Sequence, residues 1–204
     1  GDVYKRQHLH PSMAAVLLPM EFITAMRWKL PWSDIEPVTE PTGFDRRMQE
    51  LHRSKPVDEP LFIWGYHQLW HGSMHKARIN QVSDTRPMVV WHRSFHELYM
   101  NDAAMGMAGI DAKQIKPGMQ IDIDKGHFYE VGLGFAINRL NPWILAPEKY
   151  SAGLKRLKQV VHNGGHTSIG DLATGLFNFD TEAQALADEL EGEDVPFRTR
   201  LVVH

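Results

Sequence analysis

The chain has 204 residues, 43% of them hydrophobic, and a net charge of −3, which fits one soluble globular domain or part of a larger one. A charge so small and mixed argues against nucleic acid or an anionic membrane surface as partner, and the absence of Cys excludes disulfides and thiolate metal sites. The apolar run over 14–20 is too short to span a bilayer and contains Pro19, and Lys5 and Arg6 precede no signal-like stretch, so a cytoplasmic protein is expected.

The first predicted element is an extended segment ending in His8-Leu9-His10, stopped by Pro11. Beyond it the chain is punctuated by Pro31, Pro37, Pro41, Pro56 and Pro60, with short elements between. Residues 43–53 read as a helix, with Phe44, Met48 and Leu51 on one face. Residues 61–66 read as a buried strand, 74–82 as a short helix and 88–91 as a second strand. Residues 95–107 read as a helix ended by Gly109. The last third is more regular. Residues 147–162 form a helix, with Tyr150, Leu154, Leu157 and Val161 as its stripe and Asn163-Gly164-Gly165 as its stop. A strand follows over 166–173. Asp180 then caps a helix with Ala183, Leu186 and Leu190 as its stripe. A final strand over 195–203 places Phe197, Thr199, Leu201 and Val203 on one face. Strands alternating with helices are the pattern of parallel βα units, whose active-site ends are the carboxyl ends of the strands.

Histidines at i and i+2 of an extended segment point the same way, so His8 and His10 can reach one metal ion. Imidazole suits zinc, iron, nickel and copper, with zinc the default for a hydrolase. In a chain with 12 histidines the same tripeptide also arises by chance in a solvated turn. His67, His71 and His75 are each four apart, but Gly65 and Gly72 break any shared helix, so they read as a solvated loop. For His92 the reading is structural hydrogen bonding. Arg93 pairs with an aspartate or with a substrate carboxylate. Trp64, Tyr66, Trp70 and Trp91 either wall an apolar substrate group, with Trp91 the candidate contact, or pack the core. Asp171 must be paired or face an open end. It either accepts a hydrogen bond from a metal-bound histidine or pairs with Arg198 or Arg200.

Several stretches, in order, resemble the amidohydrolase superfamily, and within it the amidohydrolase family 3 branch of YtcJ-like metal-dependent hydrolases, whose relatives include N-substituted formamide deformylases. They are His8-Leu9-His10-Pro11, Trp64-Gly65-Tyr66-His67, Thr85-Arg86-Pro87-Met88-Val89-Val90-Trp91-His92-Arg93 and Ser94-Phe95-His96 leading into Leu98 to Ala104. Gly126-His127-Phe128-Tyr129-Glu130 and Gly164-Gly165-His166-Thr167-Ser168 complete the pattern. The resemblance implies an α/β fold: a partial TIM (β/α)8 barrel, its first three strands present, with a long α/β insertion between strands one and two. Residues 1–20 and 143–204 would then be barrel and 21–142 an inserted lid. It implies one or two divalent ions, zinc by preference, held by His8 and His10, with Glu130 matching a glutamate of this branch. The plain alternative for Glu130 is an acidic residue that begins a helix. His96 matches a position facing a small-molecule substrate. The implied chemistry is hydrolysis of a non-peptide C–N bond by metal-activated water, with the general-base aspartate on a later strand. His204 is not assigned as a ligand. The expectation is that this chain is an incomplete piece, inactive alone. The alternative is a non-enzymatic metal- or ligand-binding module.

Overall fold

The computed structural model describes residues 6–203, with side chains described for residues 10–201. His204 and the side chains of His8, Val202 and Val203 therefore lie outside the described part. In chain order the elements are β1 (Arg6–Leu9), α1 (Pro11–Leu17), β2 (Glu21–Phe22), β3 (Trp28–Leu30), β4 (Ser33–Ile35), α2 (Pro41–Ser54), β5 (Leu61–Tyr66), α3 (Gln68–His71) and α4 (Lys76–Asn80). They continue with β6 (Met88–His92), β7 (Glu97–Met100), α5 (Asp102–Met107), β8 (Ile121–Asp122), β9 (His127–Tyr129), α6 (Val131–Ile144), α7 (Pro147–Asn163), β10 (Ser168–Thr174), α8 (Phe179–Leu190) and β11 (Arg198–Val203). No helix among the described residues is long and apolar enough to cross a membrane. The chain divides into two compact units. One comprises the residues up to Pro19, Leu30–Trp32 and everything from Asn141; the other comprises Met20–Lys29 and Ser33–Leu140.

The first unit is built on a three-stranded sheet in the order β1-β10-β11, all parallel. His8 stands level with Gly170, and Leu9 with Asp171. Helix α7 buries Tyr150, Gly153, Leu154, Leu157 and Val161, a single stripe at helical spacing. Gly153 is there for contact: a Cβ at this position would lie 1.9 Å from the Ala15 carbonyl oxygen, so only a bare backbone lets α1 and α7 approach. Helix α7 stops as its composition predicts. Gly165 takes a positive φ of 66°, and the His166 N–H returns to the Val161 carbonyl (3.2 Å). Helix α8 differs from the sequence expectation. Its cap is Asn178, whose Oδ1 accepts from the Thr181 N–H (3.0 Å), while Asp180 sits in the first turn. Its buried stripe is Glu182, Leu186 and Leu190, with Ala183 only half-buried.

The second unit is a six-stranded mixed sheet, β2-β5-β6-β7-β9-β8. Strands β2, β5 and β6 are parallel; β7, β9 and β8 join antiparallel. Every residue of β5 and β6 is buried, which is why both read as unbroken apolar runs rather than alternating ones. Helix α2 lays Phe44, Met48 and Leu51 on one face of the sheet, where Ile63, Met88, Val90 and Tyr99 complete the core. The helix expected over 95–107 is instead a strand and a short helix. Phe95 takes a left-handed φ of 67°, Glu97–Met100 pairs with β6, and helix α5 begins only at Asp102. The switch lies at Asn101, fully buried. Its Oδ1 accepts from Ala104 N–H (2.9 Å) and Met88 N–H (3.0 Å), and its Nδ2 donates to the Ser83 and Arg86 carbonyls. One side chain both caps α5 and satisfies the start of β6.

Candidate functional site

In the first unit the carboxyl end of β1 runs straight into α1. Strand pairing ends at Leu9, His10 takes φ −121° and ψ 80°, and Pro11 occupies the first helical turn, where its missing N–H costs nothing. His10 makes no side-chain cap to α1. Asp171, on the neighbouring strand, supplies it: its Oδ2 accepts from the Ser12 N–H at 2.8 Å, and its Oδ1 from the Ala173 N–H at 3.0 Å. This rules out the ion-pair alternative that the sequence left open for Asp171. It forms no ion pair with Arg198 or Arg200. Those two are exposed and stand level with Ser168 and Gly170, whereas Asp171 shares the buried side of β10 with Ile169 and Ala173. With both oxygens on backbone N–H groups, it fixes the segment that carries His10. A buried anion at a helix N-terminus also suits the helix dipole.

The loop after β10 is organised the same way. Fully buried Glu182 takes the N–H groups of Gly175 (2.8 Å), Phe177 (2.7 Å) and Asn178 (2.7 Å). Tyr150 lies in the field of Glu182 and Asp171, and burial foremost pushes its phenol well above its ordinary range.

In the second unit the polar groups gather at the carboxyl ends of β5 and β6, the end of an α/β sheet where ligands bind. His67 and His75 are helix caps: their Nδ1 atoms accept from Leu69 N–H and Arg78 N–H, both at 3.2 Å. His71 is fully buried, against the expected solvated loop. Its Nδ1 accepts from His67 N–H (3.0 Å), so Nε2 donates to the Val38 carbonyl (2.8 Å), and burial lowers its pKa. His92 is likewise structural. Ser94 N–H donates to Nδ1 (3.1 Å), leaving Nε2 to face Gln68 Oε1 (3.2 Å). Burial foremost lowers its pKa, against the opposing charge of Glu97.

Glu97 is the hub of this edge. Its Oε2 meets His127 Nε2 at 2.5 Å and accepts from the Tyr99 hydroxyl at 3.3 Å, while its Oε1 lies 3.8 Å from His92 Nδ1. The His127 ring stacks on Tyr99 (4.3 Å, 5°) and packs against Tyr129 (4.9 Å). The hydrogen bond from His127 foremost holds the Glu97 carboxyl below its ordinary range. Burial pushes the nearby Tyr66 phenol up to about 12. Glu97 has no signal of its own in the sequence, and His127 enters only as part of the Gly126–Glu130 stretch, with no role assigned. Strand alternation on either side of the Glu97–Tyr129 pair is the signal that places them together.

The sequence candidates Glu130 and His96 come together one step beyond that pair. His96 Nδ1 lies 3.3 Å from Glu130 Oε2, both side chains exposed, and Glu130 N–H donates to the His96 carbonyl (3.0 Å). Glu130 precedes α6 with a left-handed φ of 47°, which costs a non-glycine residue on the order of 1 kcal/mol. Trp91 is a correction: it is 0% exposed and its indole stacks on Phe95 (4.7 Å, 17°), so it packs the core and presents no surface to a substrate. Trp64 is buried in a cluster with Phe22 and Trp28, and Tyr66 donates to the Gly72 carbonyl (2.6 Å). Only Trp70 keeps an accessible face, with the Arg93 guanidinium 5.9 Å above it. Arg93 forms no ion pair among the described residues. No three His, Asp or Glu side chains converge as a metal-binding group among the described residues, a set that leaves out the His8 side chain.

No protein-family model matches the chain, and no curated protein matches it. Two solved structures share its fold. One is an uncharacterized metal-dependent hydrolase from Pyrococcus horikoshii OT3, 19% identical, with a TM-score of 0.65 over 97% of this chain and 35% of that one. The other is an uncharacterized metal-dependent hydrolase from Pyrococcus furiosus, 17% identical, with a TM-score of 0.62 over 96% of this chain and 36% of that one. The chain thus spans about a third of the length of either. At these identities the likeness is one of fold.

Proposed function

We propose that this chain is part of a metal-dependent hydrolase of the amidohydrolase type, acting on a small molecule at a non-peptide C–N bond. The observation that carries the reading is the His-X-His at the carboxyl end of β1, in a parallel sheet whose strands alternate with helices. The likeness of fold to two proteins described as metal-dependent hydrolases supports it. In this reading β1, β10 and β11 are the first three strands of a (β/α)8 barrel, and the six-stranded unit is the insertion after strand one.

The donor set fits the metal by its chemistry. His8 and His10 offer imidazoles, donors suited to zinc. When bound, a zinc ion lowers the pKa of a water molecule and polarises a carbonyl. The protein's own part is positional. Asp171 holds the start of α1 two residues after His10, and in the second unit His96 stays beside the Glu130 carboxylate.

The test is hydrolysis of a panel of amides, formamides and cyclic imides by the full-length protein, with and without chelator. Hydrolysis that the chelator abolishes and added zinc restores is the expected result. Turnover indifferent to chelator refutes the proposal. Metal bound without turnover of any C–N substrate favours a binding module.

A further inference from the structure

Four guanidiniums among the described residues lie over an aromatic ring, and three of them spend N–H groups on the protein. Arg78, over Phe44, donates to Asp45 (2.7 Å). Arg139, over Phe135, donates to the Gly109 carbonyl (3.1 Å), and Arg156, over Trp32, to the Leu18 carbonyl (2.7 Å). Arg93, 5.9 Å over Trp70, differs: its guanidinium makes no hydrogen bond and no ion pair among the described residues. Its backbone is nonetheless fixed. The Arg93 N–H donates to the Tyr66 carbonyl (2.9 Å), the Phe95 N–H to the His92 carbonyl (3.0 Å), and the His96 N–H to Ser94 Oγ (3.2 Å). Phe95 closes this turn with its left-handed φ of 67°, a strain that persists only where the surroundings over-determine it. His67 stands on the same indole, ring to ring at 4.8 Å. Its Nδ1 accepts from the Leu69 N–H (3.2 Å), so the proton sits on Nε2, and that N–H has no acceptor among the described residues.

We propose that Arg93, Trp70 and His67 form a binding site for a small molecule that carries a carboxylate on an apolar body. His67 and Arg93 are the first residues past two adjacent parallel strands, β5 and β6, whose last residues Tyr66 and His92 stand level. This is the end of an α/β sheet where ligands bind. The guanidinium offers a planar donor fork that matches a carboxylate with two parallel bonds. The indole beneath it favours the cation and holds the fork in place. His67 Nε2–H adds a donor on the same ring, and the accessible part of Trp70 is left for the apolar body. The sequence left two partners open for Arg93, an aspartate or a ligand carboxylate, and no aspartate among the described residues pairs with it. A plain surface arginine would account for the exposure. It would not account for the indole under it, the free imidazole N–H beside it, or the strained and pinned turn that carries it. The site lies wholly in the second unit and uses no metal, so it stands apart from the hydrolase reading.

The test uses the metal-free full-length protein, with benzoate as probe and benzamide as its uncharged counterpart, followed by calorimetry and by tryptophan fluorescence. Benzoate should bind saturably and about tenfold or more tighter than benzamide, the effect of a charge-assisted pair. Arg93→Gln should remove that advantage. His67→Asn, which keeps an acceptor for the Leu69 N–H, should weaken benzoate by a smaller factor. Trp70→Phe keeps an aromatic face, so calorimetry should still record binding while the fluorescence change disappears. No saturable benzoate binding, equal affinity for benzoate and benzamide, or wild-type affinity in Arg93→Gln overturns the proposal. A fluorescence change that survives Trp70→Phe overturns it too, because the ligand then lies at another indole. Wild-type affinity in His67→Asn overturns the part given to His67. If Arg93→Gln does not fold by circular dichroism, Arg93→Lys, which keeps the charge without the fork and should recover only part of the affinity, carries the same comparison. With no metal present, failure here leaves the hydrolase reading standing, and a failed chelator test leaves this site standing.

Discussion

Replacing Asp171 with Ala isolates the contact that ties the start of α1 to the neighbouring strand β10. The side chain is fully buried, and its two oxygens take the N–H groups of Ser12 and Ala173. Alanine leaves both donors buried without a partner, at about 1–3 kcal/mol each. The loss should therefore be roughly 2–6 kcal/mol, a large share of the ~5–15 kcal/mol that holds a typical domain together. Asp171→Asn keeps one acceptor oxygen and turns an amide N–H toward the other donor, so it should lose about half as much. Urea unfolding followed by circular dichroism measures both, and hydrogen exchange at Ser12 and Ala173 shows which bond has opened. Because Ser12 follows His10 by two residues, zinc binding should weaken along with stability. If Asp171→Ala unfolds within about 0.5 kcal/mol of wild type, the range of an ordinary surface substitution, the capping role is refuted.

Acidification should destabilise the protein in two stages. His71 and His92 are held below their ordinary value of 6.5 by burial, so the unfolded chain binds protons that the native state refuses, and stability falls as the pH drops below about 6.5. Glu97 is held below its ordinary value of 4.5 by His127; its contribution is present above that pH and is lost as the pH falls further. Unfolding midpoints measured against pH should show both stages, with Glu97→Gln flattening the lower one; a flat profile between pH 6.5 and 5 contradicts the first. Gly153→Ala would press a methyl to 1.9 Å from the Ala15 carbonyl oxygen, and the forced separation of α1 from α7 should cost about 1–3 kcal/mol. An unchanged melting temperature would show that the two helices do not need the bare backbone.

Where local chemistry decides, the sequence is readable. The run Leu61–Tyr66 is apolar on both faces and is a strand buried on both faces. Helix α7 carries its stripe and its Gly-Gly stop in plain view. Several misreadings share one cause, a partner far along the chain. Nothing local reveals that Asn101 Oδ1 also serves Met88, which breaks the expected helix over 95–107 into a strand and a helix. His71 looked solvated because the Val38 carbonyl it needs lies 33 residues away. The ion-pair alternative for Asp171 fails for the same reason: the Ser12 N–H that it serves lies 159 residues away. Among the candidate residues, Glu130 and His96 are legible as residues; their direct contact is not, since it depends on how β7 and β9 end.

In the proposed function His8 and His10 hold a metal ion. The most direct measurement of this is the metal content of the purified full-length protein beside that of the His8→Ala/His10→Ala variant, by inductively coupled plasma mass spectrometry. Bound divalent metal, zinc foremost, is expected in the parent, and its loss is expected from the variant with the fold intact by circular dichroism. Full metal occupancy in the double variant would contradict it.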